Sequence, residues 1–73
     1  MPRIVSNGTF NVYVYAKDHP PPHCHVFWGG DKESAVSLTA LGVIAGDPLP
    51  RPAVDLIRAH LQESIAAWQR LNP

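Results

Sequence analysis

The chain has a single cysteine, so no disulfide can form within it and its 73 residues must rely on a packed core. Charge is sparse and of neither sign in excess: six Lys and Arg offset six Asp and Glu. A nucleic-acid binder draws affinity from phosphate neutralisation and carries a basic face. Here Arg3, Lys17, Lys32, Arg51, Arg58 and Arg70 are spread from end to end, so nucleic acid is not expected to bind without a partner. No apolar run approaches the roughly 20 residues that span a bilayer. The opening Met1-Pro2-Arg3-Ile4-Val5 lacks the apolar stretch of a signal peptide. These absences predict one domain over residues 1–73, without a membrane segment and located in the cytoplasm.

What the chain does have is concentrated in one place. His19-Pro20-Pro21-Pro22-His23-Cys24-His25 holds three of the four histidines and the only cysteine. Histidine both titrates near neutral pH and binds divalent metals, and a proline run holds the chain extended and semi-rigid. Clustered imidazoles on a stiff backbone have the makings of a site.

Residues 3–6 read as a strand, followed by the turn signal Asn7-Gly8. Phe10 to Ala16 is aromatic and β-branched, as a strand should be, and His23 to Trp28 follows the proline loop. Gly29-Gly30 is turn chemistry, residues 33–39 alternate again, and Val43-Ile44-Ala45 is a short apolar piece bracketed by glycines. Beyond the prolines at 48, 50 and 52 the period changes. Val54, Ile57, Leu61, Ile65, Trp68 and Leu71 form one helical stripe. Proline suits the first helical position, so one helix of some 18–20 residues, roughly 27–30 Å long, is expected from near Pro52. The fold class is α+β: a three- to four-stranded antiparallel sheet with one C-terminal helix packed on one face.

Pairing the two central strands sharpens the reading. If opposed residue numbers sum to 38, Phe10 faces Trp28, Val12 faces Val26 and Val14 faces Cys24 on one side. On the other side Tyr15 faces His23 and Tyr13 faces His25. Alternation fixes this parity. His23 and His25 then share an accessible face with two tyrosines, and Cys24 is buried on the reverse as a quiet apolar neighbour.

Strand residues at i and i+2 are about 6.6 Å apart, close enough for two imidazoles to converge on one ion at about 2.0–2.1 Å from each nitrogen. His19 is the expected third ligand, although three extended prolines put it about 12 Å from His23. Cys24 points away and is excluded. Asp18, Asp31 and Glu33 are nearby supporting carboxylates, with Asp47 more distant and no HExxH spacing present. Three readings of the cluster stand side by side. It is a satisfied polar layer on a sheet, a divalent-metal site (zinc, for example) of His19, His23 and His25, or an acid–base pair of His23 and His25 with Tyr13 or Tyr15. The last would move protons in a nuclease and need Lys17, Lys32 or Arg3 for the phosphate. Trp28 and Trp68 read as core anchors and His60 as a boundary residue on the helix. A second helix stripe, Leu56, Ala59, Ala66 and Ala67, is mildly apolar and suits a partner or a second copy of the chain.

The run Asp18-His19-Pro20-Pro21-Pro22-His23-x-His25-Val26, following Tyr-Val-Tyr and preceding Gly-Gly and a Trp-bearing helix, resembles the domain-of-unknown-function family numbered 4160. The resemblance covers nearly the whole chain. It implies a short bacterial protein whose gene often lies beside that of a second uncharacterised family (numbered 2442), in an arrangement similar to toxin–antitoxin pairs. It therefore implies a protein partner encoded next door and a small interaction module, without supplying an activity. Position 24 is commonly Phe in that family, so Cys24 departs from the pattern in a way that fits a buried apolar slot.

Overall fold

In the computed structural model, which describes residues 3–73, Asn7 folds back on itself. Its side-chain Oδ1 accepts the N–H groups of Thr9 (3.0 Å) and Phe10 (2.8 Å), the Asx turn that Asn favours. This turn joins strand β1 (Arg3–Ser6) to β2 (Asn11–Tyr13). The lead-in residues Met1 and Pro2 lie outside the described residues. Strand β3 (His23–Trp28) passes through Gly29-Gly30, both at positive φ (64° and 81°), into β4 (Lys32–Ser37). Glycine supplies that turn without steric cost. Strand β5 (Val43–Gly46) completes an antiparallel meander in the order β1-β2-β3-β4-β5.

The sheet thus has five strands where three or four were expected. The extra one is the apolar Val43-Ile44-Ala45 piece, which pairs Ala45 with Ala35 and Val43 with Val36. Its last residue must be glycine: Gly46 has φ +98°, and a β-carbon there would strike the Glu33 carbonyl. Each edge strand carries an extra residue, Ile4 in β1 and Ile44 in β5, where the register shifts. Such bulges twist an edge away from further pairing.

The central register is the expected one: Val12 opposes Val26 and Tyr13 opposes His25. Phe10 and Trp28 close the same hairpin with ring centroids 5.8 Å apart. The ladder ends at Tyr13, however, so Tyr15 and His23 are not a cross-strand pair. The Tyr15 carbonyl is taken instead by the side chain of Asn72.

Helix α1 (Arg51–Ala59) and helix α2 (Leu61–Leu71) replace the single expected helix. His60 breaks the run. Its φ of −117° is not helical, and its N–H closes a tight turn on the Ile57 carbonyl. Its own carbonyl accepts both the N–H and the hydroxyl of fully buried Ser64. A Ser hydroxyl bonding back four residues bends helices. The bend re-aims the buried face. Ala53, Ile57, Ala67 and Trp68 enter the core, while Leu56, Leu61, Ile65 and Leu71 pack at its margin. Leu56 and Ala67, read as part of an unpartnered stripe, are therefore occupied by the chain's own core.

That core lies between the helices and one sheet face, formed by Phe10, Val12, Val14, Cys24, Val26, Val36 and Leu38. Six of these are fully buried. Among the described residues no helix is long and apolar enough to cross a membrane, and no buried side-chain polar atom is without a partner.

Candidate functional site

Alternation along β3 does most of the work. Cys24 and Val26 turn to the core, so His23 and His25 turn the other way. Burial pushes the Cys24 thiol up to about 12, leaving it neutral and chemically quiet. The two imidazoles lie with ring centroids 5.0 Å apart. Both approach the same oxygen: Asp18 Oδ2 is 2.9 Å from His23 Nε2 and 3.1 Å from His25 Nε2. Asp18, His23 and His25 form the one group of potential metal ligands found among the described residues, with all three ligand atoms within 4.8 Å.

His23 and Asp18 are oriented from behind. The Pro21 carbonyl sits 2.8 Å from His23 Nδ1 and can only accept, so Nδ1 carries the hydrogen. The Nε2 of a neutral His23 then presents its lone pair to the carboxylate. This arrangement is repulsive unless Nε2 is also protonated or a cation lies between them. Asp18 Oδ1 accepts the His19 N–H at 3.0 Å, which leaves Oδ2 for the histidines. The Asp18 N–H donates in turn to Asn72 Oδ1 at 2.8 Å. The Asn72 amide also donates to the carbonyls of Tyr15 (3.1 Å) and Trp68 (3.2 Å). The end of α2 is thereby fastened to the loop that carries Asp18.

Desolvation pushes the Asp18 carboxyl upward. The hydrogen bond from His25, the His19 N–H and the two imidazoles outweigh it, so its pKa lies below the ordinary aspartate value. Asp18 is ionised at neutral pH. Tyr15 lies against His25 with ring centroids 4.7 Å apart, and Tyr13 stacks beside Tyr15 at 6.1 Å. Burial, reinforced by Tyr13, Glu33 and Asp18, raises the Tyr15 pKa. Its hydroxyl is a proton donor here rather than a base.

One expectation needs correction. His23 is buried, at 8% relative exposure, rather than openly accessible. Trp68 packs on its ring at 5.0 Å, and Asp18 and Pro21 occupy its nitrogens. His19, expected as the third ligand, is exposed and lies outside the group, which Asp18 joins instead. The Pro20–Pro21 bond is cis. His60 lies in the helix break, where its Nδ1 meets Glu63 Oε1 at 2.7 Å.

Asp18 was visible in sequence only as one of several carboxylates near the cluster. Asn72 gave no signal at all, because 54 residues separate it from Asp18.

The fold and site define a one-sided antiparallel sheet protein with a His–Asp–His cluster at the sheet rim, closed on the His23 side by Trp68 of α2. The family model described as "Domain of unknown function (DUF4160)" matches residues 9–69, and the chain belongs to that family. No curated protein and no solved structure matches it.

Proposed function

We propose that the chain binds a divalent metal ion through His23 Nε2, His25 Nε2 and Asp18 Oδ2, a two-histidine, one-carboxylate set. One observation carries this reading. Two imidazole nitrogens and one carboxylate oxygen converge, with Asp18 Oδ2 at 2.9 and 3.1 Å from His23 Nε2 and His25 Nε2 and all three ligand atoms within 4.8 Å of one another, which is within reach of one ion with bonds of about 2.1 Å. A two-histidine, one-carboxylate set with open positions suits first-row divalent ions such as iron(II), manganese(II), cobalt(II) or zinc(II). A backbone carbonyl on Nδ1 that fixes the Nε2 lone pair toward the ion is the usual outer partner of a metal-ligating histidine. Three protein ligands leave positions for water and a substrate, and a metal-bound water is the reagent from which hydrolytic chemistry starts.

The test is titration of cobalt(II), manganese(II) and zinc(II) into metal-free protein. Calorimetry gives stoichiometry, cobalt absorption gives coordination number, and zinc-induced shifts of the histidine ring signals locate the site. One ion per chain and shifts at His23 and His25 but not His60 are expected. No ring shift at millimolar zinc would overturn the reading.

A second reading, an interaction module paired with the product of a neighbouring gene, has one observation in its favour. Val43 and Ile44, at 41% and 50% relative exposure, are large apolar side chains left in solvent on β5. Co-expression with the neighbouring gene, followed by purification, tests it. Recovery of this chain alone, as a monomer, removes its basis.

A further inference from the structure

Beside the His–Asp–His group lies a cleft of about 520 Å³, lined by Lys17, Asp18, Pro20, Pro22, Trp68 and Leu71. Clefts of this size commonly hold small ligands. It joins the site at two points: Asp18 is common to both, and its Trp68 wall packs on the His23 ring at 5.0 Å. Asn72 and Pro73 complete its lining, and Lys17 is the one basic residue among the lining residues. The Asn72 side chain is already committed to three backbone groups, at 2.8, 3.1 and 3.2 Å. The Asp18 carboxylate faces the histidines. Lys17, the basic residue of the lining, forms no ion pair among those found for the described residues and is the group we assign to recognise a ligand.

Lys17 also sits where lysine is unfavourable. Its φ is 57°, in the left-handed region where Gly, Asn or Asp is the ordinary occupant. Sparsely populated backbone conformations of this kind gather at ligand sites, held by the structure around them. Charge points the same way. A divalent ion with one carboxylate ligand keeps a net positive charge, and Lys17 adds a second at the cleft.

We propose that this cleft binds a small organic anion, with its carboxylate between Lys17 and the metal site and its apolar body against Pro20, Pro22, Trp68 and Leu71. The proposal deepens the metal reading by naming the ligand class, and its cleft part can be tested without metal. Phenylacetate is titrated into metal-free and cobalt-loaded protein by calorimetry. Phenylacetamide serves as the neutral analogue, and the indole N–H signals of Trp68 and Trp28 are followed in the metal-free sample. Phenylacetate should bind about tenfold or more tightly than the amide, since a charge-assisted contact is at stake. It should shift Trp68 and leave Trp28 still, lose about tenfold in affinity in Lys17→Glu, and gain affinity on cobalt loading. Equal binding of acid and amide, movement of Trp28 alone, or indifference to Lys17→Glu overturns the proposal. Unchanged affinity on cobalt loading overturns its link to the metal. If cobalt binds and phenylacetate does not, the cleft proposal falls alone. If cobalt does not bind, the metal reading falls, and the metal-free titration decides the cleft by the same criteria.

Discussion

The side-chain oxygen of Asn72 accepts the backbone N–H of Asp18 at 2.8 Å, which ties the end of α2 to the loop that presents the carboxylate to both histidines. The same amide holds the Tyr15 and Trp68 carbonyls. One side chain thus sets where three elements of the site meet, without touching the histidines.

Asn72→Ala is expected to weaken metal binding by about 10–100-fold, the range that outer partners of metal ligands control. Calorimetric titration of cobalt checks this. Thermal unfolding of the same sample should fall only modestly, because each lost hydrogen bond contributes about 1 kcal/mol net. Unchanged affinity would mean that the clamp is structural alone.

Asp18→Asn removes the carboxylate while keeping its size. Metal affinity should drop further than in Asn72→Ala, whereas His19→Ala, outside the ligand group, should leave it unchanged. If His19→Ala abolishes binding and Asp18→Asn does not, the ligand set is the one expected from sequence and not the one argued from geometry.

The depressed Asp18 carboxyl also predicts a pH dependence of stability. A group whose folded pKa lies below its unfolded value contributes stability above the unfolded value and loses it as pH falls through the folded one. Metal-free protein should therefore lose stability below the ordinary aspartate range, and Asp18→Asn should flatten that acid limb. Denaturant midpoints at stepped pH measure it. Metal binding should weaken toward acid as well, because a protonated imidazole cannot ligate.

Trp68 is nearly buried, closes the core and backs the His23 ring. Trp68→Ala should cost about 3–5 kcal/mol, a large part of the stability of a chain this size. Loss of the cooperative thermal transition in circular dichroism is the expected result. A variant that melts like the parent would contradict the observed packing.

Cys24 is fully buried with its thiol pKa pushed up to about 12. A thiol reagent should modify it slowly in the folded protein and rapidly in denaturant. Fast labelling of the native state would contradict the parity of β3, on which the facing of His23 and His25 depends.

The residue pattern by itself determined a good deal. Strict alternation in β3 put His23 and His25 on one side and Cys24 on the other, because a pleated strand allows only two directions. The same alternation in β2, with turn residues at Asn7-Gly8 and Gly29-Gly30, fixed which sheet face the helices cover. Local patterns could not reveal the break at His60, which rests on its carbonyl and a buried Ser64 hydroxyl inside an otherwise continuous helical period. Nor could they count Val43–Gly46 as a strand, since a run so short is defined by its neighbour β4. Tertiary structure alone brought Asp18 to the two histidines. Sequence distance favoured His19, but the loop curls so that Asp18 lies under both imidazoles, held there by Asn72 from 54 residues away. The periodicity of a chain records which way a side chain faces. It does not record which distant residue meets it, because closure of a long loop leaves no trace in local spacing.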